Sequence, residues 1–221
     1  MALAQTYDFD SGTLDATIAT GGGLTVSGSP AYKAGIHGPL CARVGQSDTI
    51  TMGIPATTFS GSIYLVVNSV IASSATRGPR VNNTLAGWIS SIKFNNTGAV
   101  DVTTGTTNTA SGGTWSPGDV FRIDWQVNHA TTTLTWRFFK NANASGSTPD
   151  ATASVNYSGV DSGAAPDSFA LNAGGSPSGS SVDYDTIRLY DALEWAGAYV
   201  PPSSGPEIVR VPTVPSIPSI R

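Results

Sequence analysis

Glutamate is nearly missing from this chain of 221 residues: Glu194 and Glu207 are its only two. Helical domains cover their solvated faces with Glu, Lys, Ala and Leu, so the scarcity argues against helices. It also thins the supply of carboxylates for acid–base chemistry. Charged residues of all kinds make up 12%, well under the roughly 25% of an average globular domain. The 11 basic residues are scattered from Lys33 to Arg221 without a cluster. A nucleic-acid surface needs a basic patch or stripe, so nucleic acid is not expected as a partner. The formal net charge of −4 serves solubility and little else. Cys41 is the sole cysteine, which excludes an internal disulfide; such a residue is expected as a small buried hydrophobe. No run reaches the 18 or more apolar residues of a membrane helix. The opening Met1-Ala-Leu-Ala-Gln-Thr-Tyr-Asp has neither the basic n-region nor the apolar h-region of a signal peptide. Synthesis in the cytosol, with no membrane partner, is the expectation, and the protein can still finish in a particle released from the cell.

What is present is β-forming. Hydrophobic residues reach 39%, enough for a packed core, and the remainder is dominated by Gly, Ser, Thr and Asn. Short alternating runs are punctuated by Gly, Ser, Thr and Pro, the pattern of a sandwich or barrel. Gly61–Ile71 is the strongest apolar run, and its β-branched content predicts a strand buried on both faces. Leu85–Phe94 places Trp88, Ser90 and Ile92 on one face. The clearest alternation is Val120–Val127, with Phe121, Ile123, Trp125 and Val127 toward the core and Arg122, Asp124 and Gln126 away from it. A turn at 128–131 leads into 132–139, with Leu134, Trp136 and Phe138 inward, a hairpin. Val182–Tyr190 is the last strand, and its inward phase shifts between Tyr184 and Ile187, which predicts a bulge.

After Val200 the composition changes. Pro201–Pro206 reads as a linker, and residues 207–221 alternate aliphatics with Pro, Ser and Thr. Frequent proline favours extended backbone. Disordered tails are normally polar, whereas this one carries Ile208, Val209, Val211, Val214, Ile217 and Ile220. Those side chains in water cost about 25 cal/mol per Å² of apolar surface. The segment is therefore expected to lie on another subunit or protein, with folding back on its own domain as the alternative. The chain divides into a sandwich domain over 1–199 and an extended arm over 200–221.

Two segments carry a resemblance. Tyr7-Asp-Phe-Asp-Ser-Gly12 resembles the opening strand of concanavalin A-like and laminin-G-like jelly rolls. Ser181-Val-Asp-Tyr-Asp-Thr-Ile-Arg-Leu-Tyr190 is similar to their closing strand, where an acidic residue precedes an apolar-Arg-apolar-Tyr step. Gly118–Val127 resembles the strand that precedes their second hairpin strand. The resemblance spans residues 5–195 and implies an all-β fold of two antiparallel sheets packed face to face, with adjacent chain ends. The lack of cysteine pairs, the Gly/Ser/Thr richness and the arm together look like a minor tail or decoration protein of a tailed bacteriophage. That implies a virion protein whose partners are other virion subunits, in a symmetric homo-oligomer.

The chemistry is tested against this frame. Glycoside hydrolysis needs two carboxylates flanking the scissile bond. The glucanases of this fold place a Glu-x-Asp-x-x-Glu run on one strand, and the nearest echo here, Asp183-Tyr-Asp185-Thr-Ile-Arg188, has Arg in place of the second acid. His37 and His129 stand in turns, with no Gly-x-Ser-x-Gly elbow for a triad and too few ligands for zinc. The expectation is a non-enzymatic protein, with a divergent glycoside hydrolase as the reading that turnover of a β-glucan would revive. Calcium takes oxygen ligands, and Asp8, Asp10, Asp183 and Asp185 would meet on the paired terminal strands. The favoured reading is outward-facing surface aspartates partnered by water or Arg188, so no cofactor is expected, with a structural calcium as the alternative. A carbohydrate-binding module for host-surface glycans is the main alternative to a purely structural role. Trp88, Trp115 and Tyr64 could supply a ring, and Arg122, Asp124 and Arg137 the hydrogen bonds, with Trp115 in its Gly112–Pro117 loop the favoured centre.

Overall fold

A computed structural model describes residues 3–7, 9, 24–37, 40–68, 75–83, 87–105, 107–160, 163–172 and 180–198. Among them run β1 (Leu3–Tyr7), β2 (Leu24–Ser27), β3 (Ala31–Ala34), β4 (Leu40–Gly45), β5 (Thr49–Gly53), β6 (Phe59–Val67), β7 (Ala75–Asn83) and β8 (Gly87–Asn95). The second half adds β9 (Ala99–Thr104), β10 (Thr107–Thr114), β11 (Val120–Asn128), β12 (Thr133–Lys140), β13 (Ala151–Asn156), β14 (Ser168–Asn172) and β15 (Ser181–Tyr190). All the pairings are antiparallel, in two sheets. The eight-stranded sheet runs β13-β12-β11-β6-β15-β4-β3, with β1 also on β15. The seven-stranded sheet runs β10-β9-β8-β7-β14-β5-β2. The expected two-sheet antiparallel jelly-roll sandwich is the fold observed.

The inward phases follow from alternation. Phe121, Ile123, Trp125 and Val127 are buried on one face of β11, and Leu134, Trp136 and Phe138 on β12. The aromatics tie the sheets together. Trp125 stacks on Phe169 with centroids 4.4 Å apart. The Trp136 indole donates to Ser90 Oγ at 3.2 Å, and the Tyr184 hydroxyl to the Asn172 carbonyl at 2.6 Å. Gly61 lies opposite Trp125. A Cβ there would stand 2.4 Å from the indole and 2.6 Å from the Arg188 carbonyl, so only glycine lets the ring lie this close to the strand. The bulge expected in the last strand is present: the β15–β6 register shifts between Asp185 and Arg188, and Thr186 has φ 42. It allows the first half of β15 to pair with β4 and the second half with β1.

Three boundaries differ from the sequence reading. The first strand ends at Tyr7 instead of beginning there. β7 and β10 went unrecognised. β7 has no alternation and carries Gly78-Pro79 where its register with β8 slips; proline is tolerated in a sheet at such breaks. β10 is a Thr/Ser/Gly edge strand with two register shifts against β9. The arm residues Ile208, Val209, Val211, Val214, Ile217 and Ile220 lie outside the described residues, as does the domain boundary at 199/200.

Candidate ligand-binding face

The outer face of the eight-stranded sheet carries charge in rows. Arg137, Asp124, Ser62 and Arg188 are register partners across β12, β11, β6 and β15. Phe139, Arg122, Tyr64 and Asp185 form the next row. These positions point away from the core, yet Arg122 and Asp124 are each only 1% exposed. Two segments fold over them. The 3-10 turn Asn141–Ser145 brings the Ala144 carbonyl to Arg122 Nη1 at 2.8 Å. The chain after β15 brings the Ala192 carbonyl to Ser60 Oγ at 2.7 Å and the Gly197 carbonyl to Arg188 Nη2 at 2.6 Å. The Arg122 guanidinium lies 3.6 Å over the Phe139 ring, and that of Arg137 lies 3.6 Å over Trp195. Arg122 Nε and Asp124 Oδ1 meet at 3.2 Å, out of line for a hydrogen bond. Burial pushes the Asp124 carboxyl up to about 6, against the pull of Arg122, Arg188 and Arg137.

This geometry corrects the expected sugar site. Arg122 and Asp124 are sealed beneath chain, and Arg137 is committed to Trp195. Trp115 is 4% exposed. Its indole N–H donates to the Asn95 carbonyl at 2.8 Å and its ring meets Phe94 edge-on, so the loop tryptophan plugs one end of the core. A buried ring has no face for a sugar. Tyr64 is likewise buried, with His37 edge-on against it at 3.9 Å.

The terminal-strand acids are held by protein groups. Asp183 takes a forked pair from Arg43, both contacts 2.6 Å. Asp185 accepts the backbone N–H groups of Ile36 and His37 at 2.7 and 2.8 Å, and the Thr186 hydroxyl. Calcium wants six to eight oxygen ligands, and no group of three or more His, Cys, Asp or Glu side chains is placed to hold a metal among the described residues. Asp183 and Asp185 do not fit that role, and Asp8 and Asp10 lie outside the described residues. Cys41 is buried against the Ala34 carbonyl, and burial with Asp183 and Asp185 nearby pushes its thiol up to about 11, far from a thiolate nucleophile. His129 Nδ1 faces the Tyr157 hydroxyl at 3.3 Å.

The opposite face of the sandwich offers a different surface. An open pocket of about 330 Å³ on the outer side of the seven-stranded sheet is lined by Thr51, Arg80, Asn82, Asn83, Trp88 and Ser168, with Gly87 at its rim. Register assembles it: Arg80 and Thr51 flank the small Ala170 of β14, and Asn82 lies opposite both Trp88 and Ser168. Trp88 belongs here because of a bulge. Val81 pairs with Ser90 and Asn82 with Trp88, so Ile89 is the extra residue. Ser90 and Ile92 stay inward, while Trp88 turns out, contrary to the common face expected for the three; a bulge re-aims the side chains beyond it. The indole N–H of Trp88 donates to the Gly105 carbonyl, and the Arg77 guanidinium stands 4.5 Å over the ring. Both fix the ring's orientation. Asn83 is anchored to the Ala165 carbonyl. Arg80 enters no ion pair, and its buried Nε has no hydrogen-bond partner among the described residues. Burial and the neighbouring Arg77 draw its pKa down.

A second depression, of about 270 Å³ where β10 meets β13, is lined by Gly112, Gly113, Phe121, Phe138, Lys140 and Asp150. Its charges are engaged: Lys140 with the Thr114 carbonyl and Asp119, Asp150 with Lys140 N–H and Asn143. Of the two, the Trp88 pocket sets an oriented ring beside the side chains of Arg80, Asn82 and Thr51.

No family model matches the chain, and no curated protein is similar to it. Solved structures are similar in fold. Domain 4 of the extracellular arabinanase AbnA of Geobacillus stearothermophilus, solved with arabinotriose, is 16% identical with a TM-score of 0.53, covering 86% of this chain and 93% of that one. A botulinum neurotoxin type C structure, whose description concerns cell entry through two ganglioside molecules, is 11% identical with a TM-score of 0.59. A botulinum neurotoxin DC binding domain solved with rat synaptotagmin II is 9% identical with a TM-score of 0.56. This chain spans about half of those two toxin chains, 48% of each. At such identities the shared property is the β-sandwich.

Proposed function

We propose that this chain is a non-catalytic glycan-binding β-sandwich, and that its ligand sits against Trp88 on the outer face of the seven-stranded sheet. The observation that carries the reading is the pocket itself. A half-buried indole is held in place by Gly105 and Arg77, among the amides of Asn82 and Asn83, the hydroxyls of Thr51 and Ser168, and the Arg80 guanidinium. A sugar ring presents an apolar C–H face and a rim of hydroxyls. It needs an aromatic plane beside donors and acceptors of this kind. The similar solved structures include ones described with arabinotriose, two ganglioside molecules or synaptotagmin II, which agrees with the reading without assigning a ligand. Catalysis is left out of it because Asp124, the carboxylate drawn toward neutral pH among the described residues, is buried away from any substrate. Screening the intact protein on an array of immobilised oligosaccharides, followed by amide chemical-shift mapping with the best binder, tests it. Shifts centred on residues 80–83, 87–88 and 168 are expected; shifts centred on 122–137, or no binder at all, overturn it.

The setting we propose is a virion, as a tail or decoration subunit fastened to neighbouring subunits by residues 201–221. The apolar, proline-spaced arm supports this. Deleting 201–221 should abolish particle incorporation or oligomerisation while leaving the sandwich folded. Normal assembly of the truncated protein would refute it.

A further inference from the structure

Resting on the glycan reading, we infer that the Trp88 pocket selects acidic saccharides, with Arg80 receiving a sugar carboxylate. The geometry begins with charge. Arg80 lines the pocket and sits between the Ser91 row of β8 and Ala170 of β14. Three other buried or bridging arginines among the described residues are spoken for. Arg43 is forked onto Asp183, Arg122 meets Asp124 and the Ala144 carbonyl, and Arg188 holds Ser62 and the Gly197 carbonyl. Arg80 has none of these: no ion pair, and a buried Nε without a partner among the described residues. An unanswered guanidinium that is partly removed from water is costly, unless a ligand supplies the acceptor.

The surroundings reinforce the sign. Arg77, on the same strand, stands over Trp88 and adds a second positive charge beside the pocket. Asp167, next to the pocket residue Ser168, accepts that residue's hydroxyl, and no carboxylate pairs with Arg80 among the described residues. The pocket therefore presents the Arg80 guanidinium, an indole and the Asn82 carboxamide, with the Arg77 charge standing over the indole. Neutral hydroxyls can use the amide. A planar carboxylate is what matches the arginine fork, with two parallel N–H···O bonds that a hydroxyl cannot reproduce. The asymmetry of the pocket follows: Trp88 takes the ring, and Arg80 the acid.

The shared chemistry, a carboxylate on a pyranose ring, occurs in sialic acids and in uronic acids, and the experiment separates them. Calorimetric or NMR titration of the full chain would use 3′-sialyllactose against lactose, and a glucuronate-bearing hyaluronan oligosaccharide against chitotetraose. At least one acidic probe should bind about tenfold or more tightly than its neutral counterpart. Added salt should weaken the acidic probe alone. Arg80→Gln should erase the preference while retaining the residual affinity for the neutral sugar. Arg80→Lys, which keeps the charge and loses the fork, should restore only part of it. Arg80 enters no ion pair that either variant would break, so circular dichroism should match the parent and melting should be no lower. Equal affinity for acidic and neutral sugars overturns the acid selectivity, a preference that survives Arg80→Gln overturns the assignment to Arg80, and either leaves the glycan reading standing. Absence of binding to every probe overturns both.

Discussion

Asp124→Asn replaces the sealed carboxylate with a neutral amide of nearly the same shape, and its effect on stability should depend on pH. In the folded chain burial holds the Asp124 carboxyl at about 6, against about 3.9 in an unfolded chain. Between those values the native state binds more protons than the unfolded state. The derivative of unfolding free energy with pH is then negative: this group costs nothing below about pH 4, and stability falls as pH rises through 6. At 1.36 kcal/mol for each tenfold step, the loss amounts to about 3 kcal/mol by pH 7. For a chain of this size that corresponds to roughly 6–12 °C in Tm. The assay is urea unfolding of parent and variant at pH 4, 5, 6 and 7, because groups common to both cancel in the difference. The variant should gain about 2 kcal/mol on the parent between pH 4 and 7. Parallel profiles would refute the claim that Asp124 is ionised at a desolvation cost beneath the 141–145 turn and the 191–198 segment.

Two further outcomes test the packing. Gly61→Ala puts a methyl 2.4 Å from the Trp125 indole and 2.6 Å from a backbone carbonyl, and should destabilise by about 1–3 kcal/mol or more by denaturant titration. A neutral result would mean that the ring does not lie on the strand. Trp115→Ala removes a core plug and should cost about 3–5 kcal/mol while leaving glycan affinity unchanged at temperatures where the variant is folded; loss of binding without loss of stability would reinstate Trp115 as a ligand contact.

Much of the fold was legible because alternation reports burial. Val120–Val127 and Leu134–Phe138 needed only the two-residue period of a strand, and the phase slip between Tyr184 and Ile187 announced the bulge found at 185–188. β7 was invisible because its pairing rests on backbone hydrogen bonds through a Gly-Pro break, with side chains that follow no period. The site was misplaced for a related reason. Strand parity correctly put Arg122, Asp124 and Arg137 outside the core, but parity says nothing of what lies on top. The segments that cover them, 141–145 and 191–198, read as polar loop and strand exit. Trp88 was among the candidate rings, yet parity placed it on one face with Ser90 and Ile92, which the structure turns inward. One extra residue, Ile89, reverses that, and no residue in Gly87-Trp-Ile-Ser90 signals a bulge by itself. The partnerless state of Arg80 required the pairings of every other arginine to be known first.

The central claim is that Trp88 forms the floor of a glycan site. Affinity for the best array ligand, measured for the parent and for Trp88→Ala on the full chain, tests it most directly. The pocket is open and Trp88 lies outside the core cluster, so the variant should keep its fold. Its affinity should fall by about tenfold or more, as expected when an aromatic contact worth one to a few kcal/mol is removed. Undiminished affinity in a folded Trp88→Ala protein would contradict the account.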